Sequence, residues 1–246
     1  MSARRLTARR IAIVLGCVAL AAGLWFGAPR FLARLEFFRV RRVEVVGLRY
    51  GSSAAILRAL RIPERLSVFD NLSALQRRAG QLPGIAGASI GRRLPGTLVI
   101  EVTERPPVAL ATRKDALVLM DGQGRVLPFD PAVAAPDLPI ATEPDPGIGA
   151  LLGRIQDVEP GLFTRISSAS REGADVVLDL GGQRWWFQPQ ATPEVIRAVM
   201  TVAQDLARTG RQYRELDGRF AGQVVVRGKP APAPTTGPKG APRGRA

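Results

Sequence analysis

The sequence predicts an α+β protein with a single N-terminal transmembrane helix. Three observations carry that expectation. Residues 11–28, IAIVLGCVALAAGLWFGA, hold no charged side chain. From residue 37 onward the apolar residues switch between a period of two and a period near 3.6, the mark of short strands mixed with short helices. From Gly228 the composition reduces to Pro, Ala, Gly, Thr, Lys and Arg, a mixture that cannot bury a core and is expected to be disordered.

The apolar run comes first. At about 1.5 Å rise per residue it spans about 27 Å, close to a ~30 Å hydrocarbon core. A cleaved signal peptide shares the basic flank and the apolar stretch. Cutting after Ala28, however, would put bulky Phe26 at the −3 position and Pro29 just behind the cut, so an uncleaved anchor in lipid is expected. Trp25, Phe26 and Phe31 sit where an outer interfacial belt belongs. Charge does not give the direction: Arg4, Arg5, Arg9 and Arg10 precede the run, and Arg30, Arg34, Arg39, Arg41 and Arg42 follow it. No second apolar run of this length occurs, so the body is expected on one side of the membrane.

Beyond the anchor, FLARLEFF (31–38) reads as a helical extension, and VRRVEVVG (40–47) as a strand with Val43 and Val45 on one face. Ser52 and Ser53 cap a helix to Leu60, with Ala54, Leu57 and Leu60 at helical spacing. Asp70 or Asn71 caps a second helix, 72–81, whose Leu72, Leu75 and Ala79 share a face. Two strands, 85–90 and 97–102, flank the turn chemistry of Pro95-Gly96. The order is β-α-α-β-β over residues 37–106.

A second unit, 107–227, is expected after Pro106-Pro107. LVLMDGQGRVL (117–127) reads as a hairpin, 128–147 as a Pro- and acid-rich loop, and 148–158 as a helix. Three strands follow at 166–170, 176–180 and 184–187. Thr192-Pro193 opens a helix to Arg208, and a last strand pair is expected at 215–220 and 223–227.

The net charge of +14 is not spread evenly. Residues 1–10 and 30–50 each carry +4, residues 227–246 carry +5, and the body 51–226 carries only +1. Such a distribution favours anionic head groups over a nucleic-acid face. There is no histidine, which removes the commonest general base and zinc ligand. The lone cysteine, Cys17, lies in the apolar run, so no intramolecular disulfide forms.

Three local motifs invite chemistry. Gly87-Ala88-Ser89-Ile90-Gly91 matches the nucleophile elbow G-x-S-x-G, but no helix follows and no histidine exists to take the proton. Gly147 to Gly153 resembles a phosphate loop yet has the wrong spacing and follows a proline-rich segment, so a helix start is the better reading. Asp121-Gly122-Gln123-Gly124 lacks the further carboxylates of a calcium loop and reads as a turn. Glu101, Glu104 and Arg105 read as a solvated patch. Trp185 and Trp186 are adjacent on a strand and must face opposite sides, one of them into the core. No catalytic group, cofactor or metal site is expected. The strand after Gln223 is short, β-branched and terminal. Whether it lies inside a sheet or at an edge open to a partner strand is not decided by the residues.

FFRVRRVEVVG (37–47), LPGIAGASIGRRLPGTLVIEVTERPPVALA (82–111), DGQGRV (121–126) and LDGRFAGQVVVR (216–227) together resemble the FtsQ/DivIB family of bacterial cell-division proteins, in the family's order. The resemblance implies a cytoplasmic tail at 1–10, a transmembrane helix at 11–28, a POTRA domain at 37–106, a β domain at 107–227 and a basic tail from 228. It implies a cytoplasmic N-terminus, which the arginines alone leave open, and a body outside the inner membrane at the septum. It also implies a non-enzymatic assembly protein that links early and late division proteins, binds FtsB-like and FtsL-like partners, recruits others through the POTRA domain and controls septal peptidoglycan synthesis. FtsB-like pairing is implied at Arg219, Phe220, Gln223, Val224, Val225 and Val226, with Phe220 standing where the family has tyrosine. POTRA recruitment is expected near Val43 and Val45. The alternative is a POTRA-bearing chaperone of outer-membrane assembly, disfavoured because one such unit precedes about 120 residues that include helices.

Overall fold

The computed structural model describes residues 35–134 and 137–228, together with Leu15, Gly16, Val18 and Phe31. The expected membrane span, apart from three of its residues, and the segments 1–10 and 229–246 lie outside the described residues. Among the described residues no helix is long and apolar enough to cross a membrane. The described end of the expected helical extension is a single 3-10 turn, Glu36–Phe38. The body falls into two compact units, one of residues 35–107 and 127–134 and another of 108–126 and 137–228.

The first unit runs β1 (Arg42–Val46), α1 (Ser53–Leu60), α2 (Ser73–Gly80), β2 (Ile85–Arg93) and β3 (Thr97–Glu104). This is the β-α-α-β-β order read from the sequence. Its sheet is ordered β1-β3-β2, with β1 parallel to β3 from Arg42↔Thr97 to Val46↔Glu101, and β2 antiparallel to β3. Ser52 accepts a hydrogen bond from the Ala55 amide at 3.2 Å, as an N-cap should. The cap of α2 differs from the expectation. The N-cap residue is Leu72 and carries no side-chain bond. Asn71 Oδ1 instead accepts from the Ser73 amide at 2.9 Å, and Asp70 turns back to the Ser67 amide at 2.8 Å. The buried face of α2 is Leu72, Leu75 and Ala79 as expected, whereas α1 buries Ile56 and Leu60 and leaves Ala54 exposed.

Along β3 every second residue points inward: Leu98, Ile100, Val102 and then Glu104. Glu104 is not the solvated charge the sequence suggested. It is 8% exposed, and its carboxylate accepts from the amides of Arg49 (2.7 Å), Tyr50 (2.7 Å) and Gly51 (2.8 Å). Pro128 and Phe129, followed by the short α3 (Pro131–Ala134), belong to this unit. Phe129 lies 5.8 Å from the Tyr50 ring and covers Gly84, where φ is +81 and a Cβ would stand 2.7 Å from the Phe129 ring. Only glycine meets both demands there.

The second unit holds β4 (Pro107–Arg113, all but its first residue), β5 (Ala116–Asp121), the first residue of β6 (Val126–Leu127), β7 (Ile140–Ala141), α4 (Pro146–Val158), α5 (Pro160–Phe163), β8 (Ser168–Glu172), β9 (Asp175–Asp179), β10 (Arg184–Phe187), α6 (Pro193–Arg208), β11 (Tyr213–Asp217) and β12 (Val225–Gly228). The strands form one sheet in the order β12-β11-β10-β9-β8-β7-β4-β5-β6. Strands β8 to β10 pair antiparallel, and β11 joins β10 in parallel after the α6 crossover. Apolar faces of α4 and α6 (Leu151, Leu152 and Ile155; Ile196, Val199, Ala203 and Leu206) pack with Trp185, Phe187 and Leu178 in one core.

Several boundaries depart from the sequence reading. β4 was not expected, since Pro106-Pro107 read as a boundary. The segment 128–147 contains α3 and β7 besides loop. β8 and β9 shift by one or two residues, while β10 and α6 fall where predicted. α6 starts on Pro193 as expected, but the Thr192 side chain makes no capping bond. The Gly147 to Gly153 stretch is the start of α4, capped by Asp145, whose Oδ1 accepts from the Ile148 amide at 2.8 Å. Its glycines serve packing: a Cβ on Gly149 would stand 2.8 Å from the Asp121 carbonyl oxygen and 2.5 Å from the Gly124 nitrogen. Asp121 closes the β5–β6 turn by accepting from the amides of Gln123 and Arg125, each at 2.9 Å.

Candidate functional site

Among the described residues the last strand, β12, pairs antiparallel with β11 alone and forms one edge of the large sheet. Its register runs from Tyr213↔Gly228 to Asp217↔Val225. The far side of β12 therefore presents a row of backbone groups that no strand of the sheet takes up. Val225 and Val226 are exposed at 37% and 39%, whereas Val224, just ahead of the strand, packs half-buried on the core.

The expected strand at 215–220 ends at Asp217, so Arg219 and Phe220 stand in the connection between β11 and β12. Gly218 explains the stop. It is buried, and a Cβ there would stand 2.6 Å from the Val199 side chain, so the chain presses onto α6 and turns. Phe220 is 51% exposed. Gln223 is exposed, and its amide donates to the Phe220 carbonyl at 3.3 Å, closing the turn.

Arg219 is committed within the molecule. Its Nη2 lies 2.5 Å from Asp217 Oδ2, its Nε 2.8 Å from Asp217 Oδ1, and its Nη1 2.7 Å from Asp175 Oδ2. The guanidinium also stacks 4.5 Å from the centre of the Trp186 ring, and Gln188 Nε2 donates to the Arg219 carbonyl at 3.2 Å. The planar fork of arginine suits this two-carboxylate grip. Arg219, expected from the sequence as a partner contact, is held by Asp175, Asp217 and Trp186, and this grip fixes the turn that carries Phe220. Asp175 and Trp186 escaped the sequence reading of this site. The one available signal was the Trp185-Trp186 doublet, which sends Trp185 into the core and Trp186 to the opposite face.

The Asp217 side chain is 1% exposed. Hydrogen bonds from Arg219 hold its carboxyl below the ordinary range against the opposing pull of burial, with the Arg219 amide and Arg227 adding to the effect. A carboxyl depressed in the folded state contributes stability above its unfolded pKa and loses it as pH falls through the folded value. The expected outcome is a melting temperature that drops more steeply below about pH 4 in the wild type than in Asp217→Asn. Parallel slopes in thermal melts from pH 2 to 7 would remove Asp217 from the acid response.

Other features singled out in the sequence take ordinary places. Ser89 lies within β2, not at a strand-to-helix elbow, and its hydroxyl donates to Glu101 Oε2 at 3.3 Å. Val43 and Val45, on the strand expected to serve recruitment, pack half-buried on the core of the first unit. What β1 shows on its other face is Glu44, paired with Arg93 at 2.8 Å, and Val46, 43% exposed.

Comparison with known proteins gives the chain its relatives. Residues 38–105 match the family model for the POTRA domain, FtsQ-type. The chain is 31% identical over 192 residues to the cell division protein FtsQ of Zymomonas mobilis, covering 72% of this chain and 57% of that protein. It is 30% identical over 193 residues to FtsQ of Novosphingobium aromaticivorans, covering 75% and 57%. Against FtsQ of Rhodothermus marinus the identity is 26% over 230 residues, 81% of each chain. The chain thus spans somewhat over half the length of the first two relatives.

Proposed function

Because this chain is a relative of the FtsQ cell-division proteins and carries an FtsQ-type POTRA domain, we propose that it is a non-enzymatic assembly protein of the bacterial division machinery. Residues 11–28 tether it in the lipid of the inner membrane, with the N-terminus cytoplasmic and the two folded units outside, at the septum. The second unit captures an FtsB-like partner, and FtsL with it, by adding a partner strand to β12. The first unit recruits other division proteins, and the assembly controls septal peptidoglycan synthesis. The observation that carries this reading is the free edge of β12 beside an exposed aromatic ring, Phe220, on a turn clamped by Arg219. Edge-strand addition draws affinity from main-chain hydrogen bonds and selectivity from flanking side chains, and both elements are present. The chaperone alternative has no observation in its favour.

Depletion of the protein is expected to give long filamentous cells in which DNA replication continues and septa fail to form. Cell length and septum counts after promoter shut-off measure this. Normal division at undetectable protein levels would sink the proposal.

A further inference from the structure

At the end of the sheet where β11 begins and β12 ends, a cleft of about 850 Å³ opens in the second unit. Its polar rim carries Arg165, Arg211 and Arg214, all exposed. Among the described residues none of the three forms an ion pair. The acids close to them in sequence are engaged elsewhere: Asp205 with Arg208 at 2.7 Å, and Glu215 with Arg227 at 2.9 Å and Arg184 at 3.9 Å. Asp179 accepts from the Gly182 amide at 3.1 Å. Among the described residues the mouth is open as well, since none lies within 4 Å of where a Cβ would stand on Gly181, Gly182 or Gly210. Three arginines around one concavity, with no carboxylate among its lining residues, form a site for negative charge in need of a counter-ion.

The place of the cleft says what fills it. Tyr213, which lines it, is the register partner of Gly228, the last residue of β12. A strand added antiparallel to β12 begins opposite Gly228, so the residues just before that strand enter the region of the cleft. The C-terminal stretch of this chain cannot be the occupant on charge grounds, because after Gly228 it carries Lys229, Lys239, Arg243 and Arg245 and no acid. Arginine forks match carboxylates in geometry as well as in charge. We propose that the Arg165–Arg211–Arg214 cleft binds an acidic polypeptide segment, the flank of the partner strand that docks on β12, and so fixes the direction and register of that strand.

The inference rests on the edge-strand reading, and the experiment separates the two. The full chain in detergent is titrated with the extracytoplasmic segment of the FtsB-like protein from the same cells. A second form of that segment has the Asp and Glu residues ahead of its pairing strand changed to Asn and Gln. The triple variant Arg165→Glu, Arg211→Glu, Arg214→Glu is expected to lose about ten-fold or more in affinity at low salt. That loss should shrink toward two- to three-fold at 0.5 M salt, where exposed charges are screened. The neutralised segment should bind wild type and triple variant alike. Wild-type affinity in the triple variant, with binding still lost on blocking β12 by proline, would overturn the cleft and leave the edge strand standing. Wild-type affinity when β12 is blocked would remove the edge reading on which the cleft depends. An unchanged segment affinity together with lost sedimentation on phosphatidylglycerol vesicles would make the cleft a lipid site and overturn the proposal.

Discussion

Phe220→Glu is expected to cut capture of the FtsB-like partner by about 30-fold or more, the scale of losing one aromatic anchor at the centre of an interface. The ring is 51% exposed and donates nothing to the core, so the substitution leaves the fold intact within about 0.5 kcal/mol. Proline substitutions test the backbone side of the same surface. Along a strand, successive N–H groups point to opposite edges. Of Val225→Pro and Val226→Pro, one removes an N–H aimed at β11 and the other an N–H aimed at the open side. The first should lower the melting temperature; the second should leave it in place and weaken capture at least ten-fold. Pull-down from membranes and titration with the purified partner segment read the binding, and thermal melts read the fold. Normal capture by Phe220→Glu and by both proline variants would end the edge-strand reading.

Arg219 behaves differently from Phe220. Its guanidinium is held by Asp175 and Asp217 and stacked on Trp186, so its removal loosens the turn that carries Phe220. Asp175 is 44 residues away in sequence, and nothing local to LDGRF announces it. The same limit governs the position of β12. Its strand character was legible from Val224-Val225-Val226, but its place at the edge depends on β11 joining β10 in parallel after α6, a pairing that only the folded sheet decides.

Where local chemistry dominates, the sequence was sufficient. α6 runs from Pro193 to Arg208 as read because Thr192-Pro193 starts it, a sixteen-residue apolar stripe sustains it, and Gly210 at φ +67 follows its end. β10 is as clear, with Trp185 and Phe187 inward and Trp186 outward. The short α1 was harder. Eight residues give two buried positions, and the spacing that marks Ala54, Leu57 and Leu60 competes with the one that marks Ile56 and Leu60. β4 is not legible from its residues because two consecutive prolines read as a boundary between units. Pro107 is the first residue of the strand, a position that tolerates the missing N–H, and Val108, Ala109 and Ala111 behind it are buried.

Glu104 is the residue whose loss should cost the first unit most. It occupies the inward position that follows Leu98, Ile100 and Val102 on β3, where an apolar side chain would be the default. The reason is the neighbouring backbone. Arg49, Tyr50 and Gly51 lead from β1 toward α1 with three consecutive amides donating to one carboxylate. A single carboxylate satisfies all three, at 2.7–2.8 Å. Hydrogen bonds to a charged acceptor contribute about 1.5–3 kcal/mol each, and part-buried donors left without an acceptor cost about as much again in desolvation. Not all of that is lost, since water can enter as the site relaxes. Glu104→Ala is therefore expected to destabilise the unit by about 3–5 kcal/mol, a large share of the ~5–15 kcal/mol that holds a domain folded. Glu104→Gln keeps the shape but sets an NH2 donor against N–H donors, so it should recover less than half of the loss. Hydrogen exchange at Arg49, Tyr50 and Gly51 reads the site directly, and denaturant unfolding reads the unit. Unchanged exchange at those three amides in Glu104→Ala would mean that the carboxylate does not hold this loop.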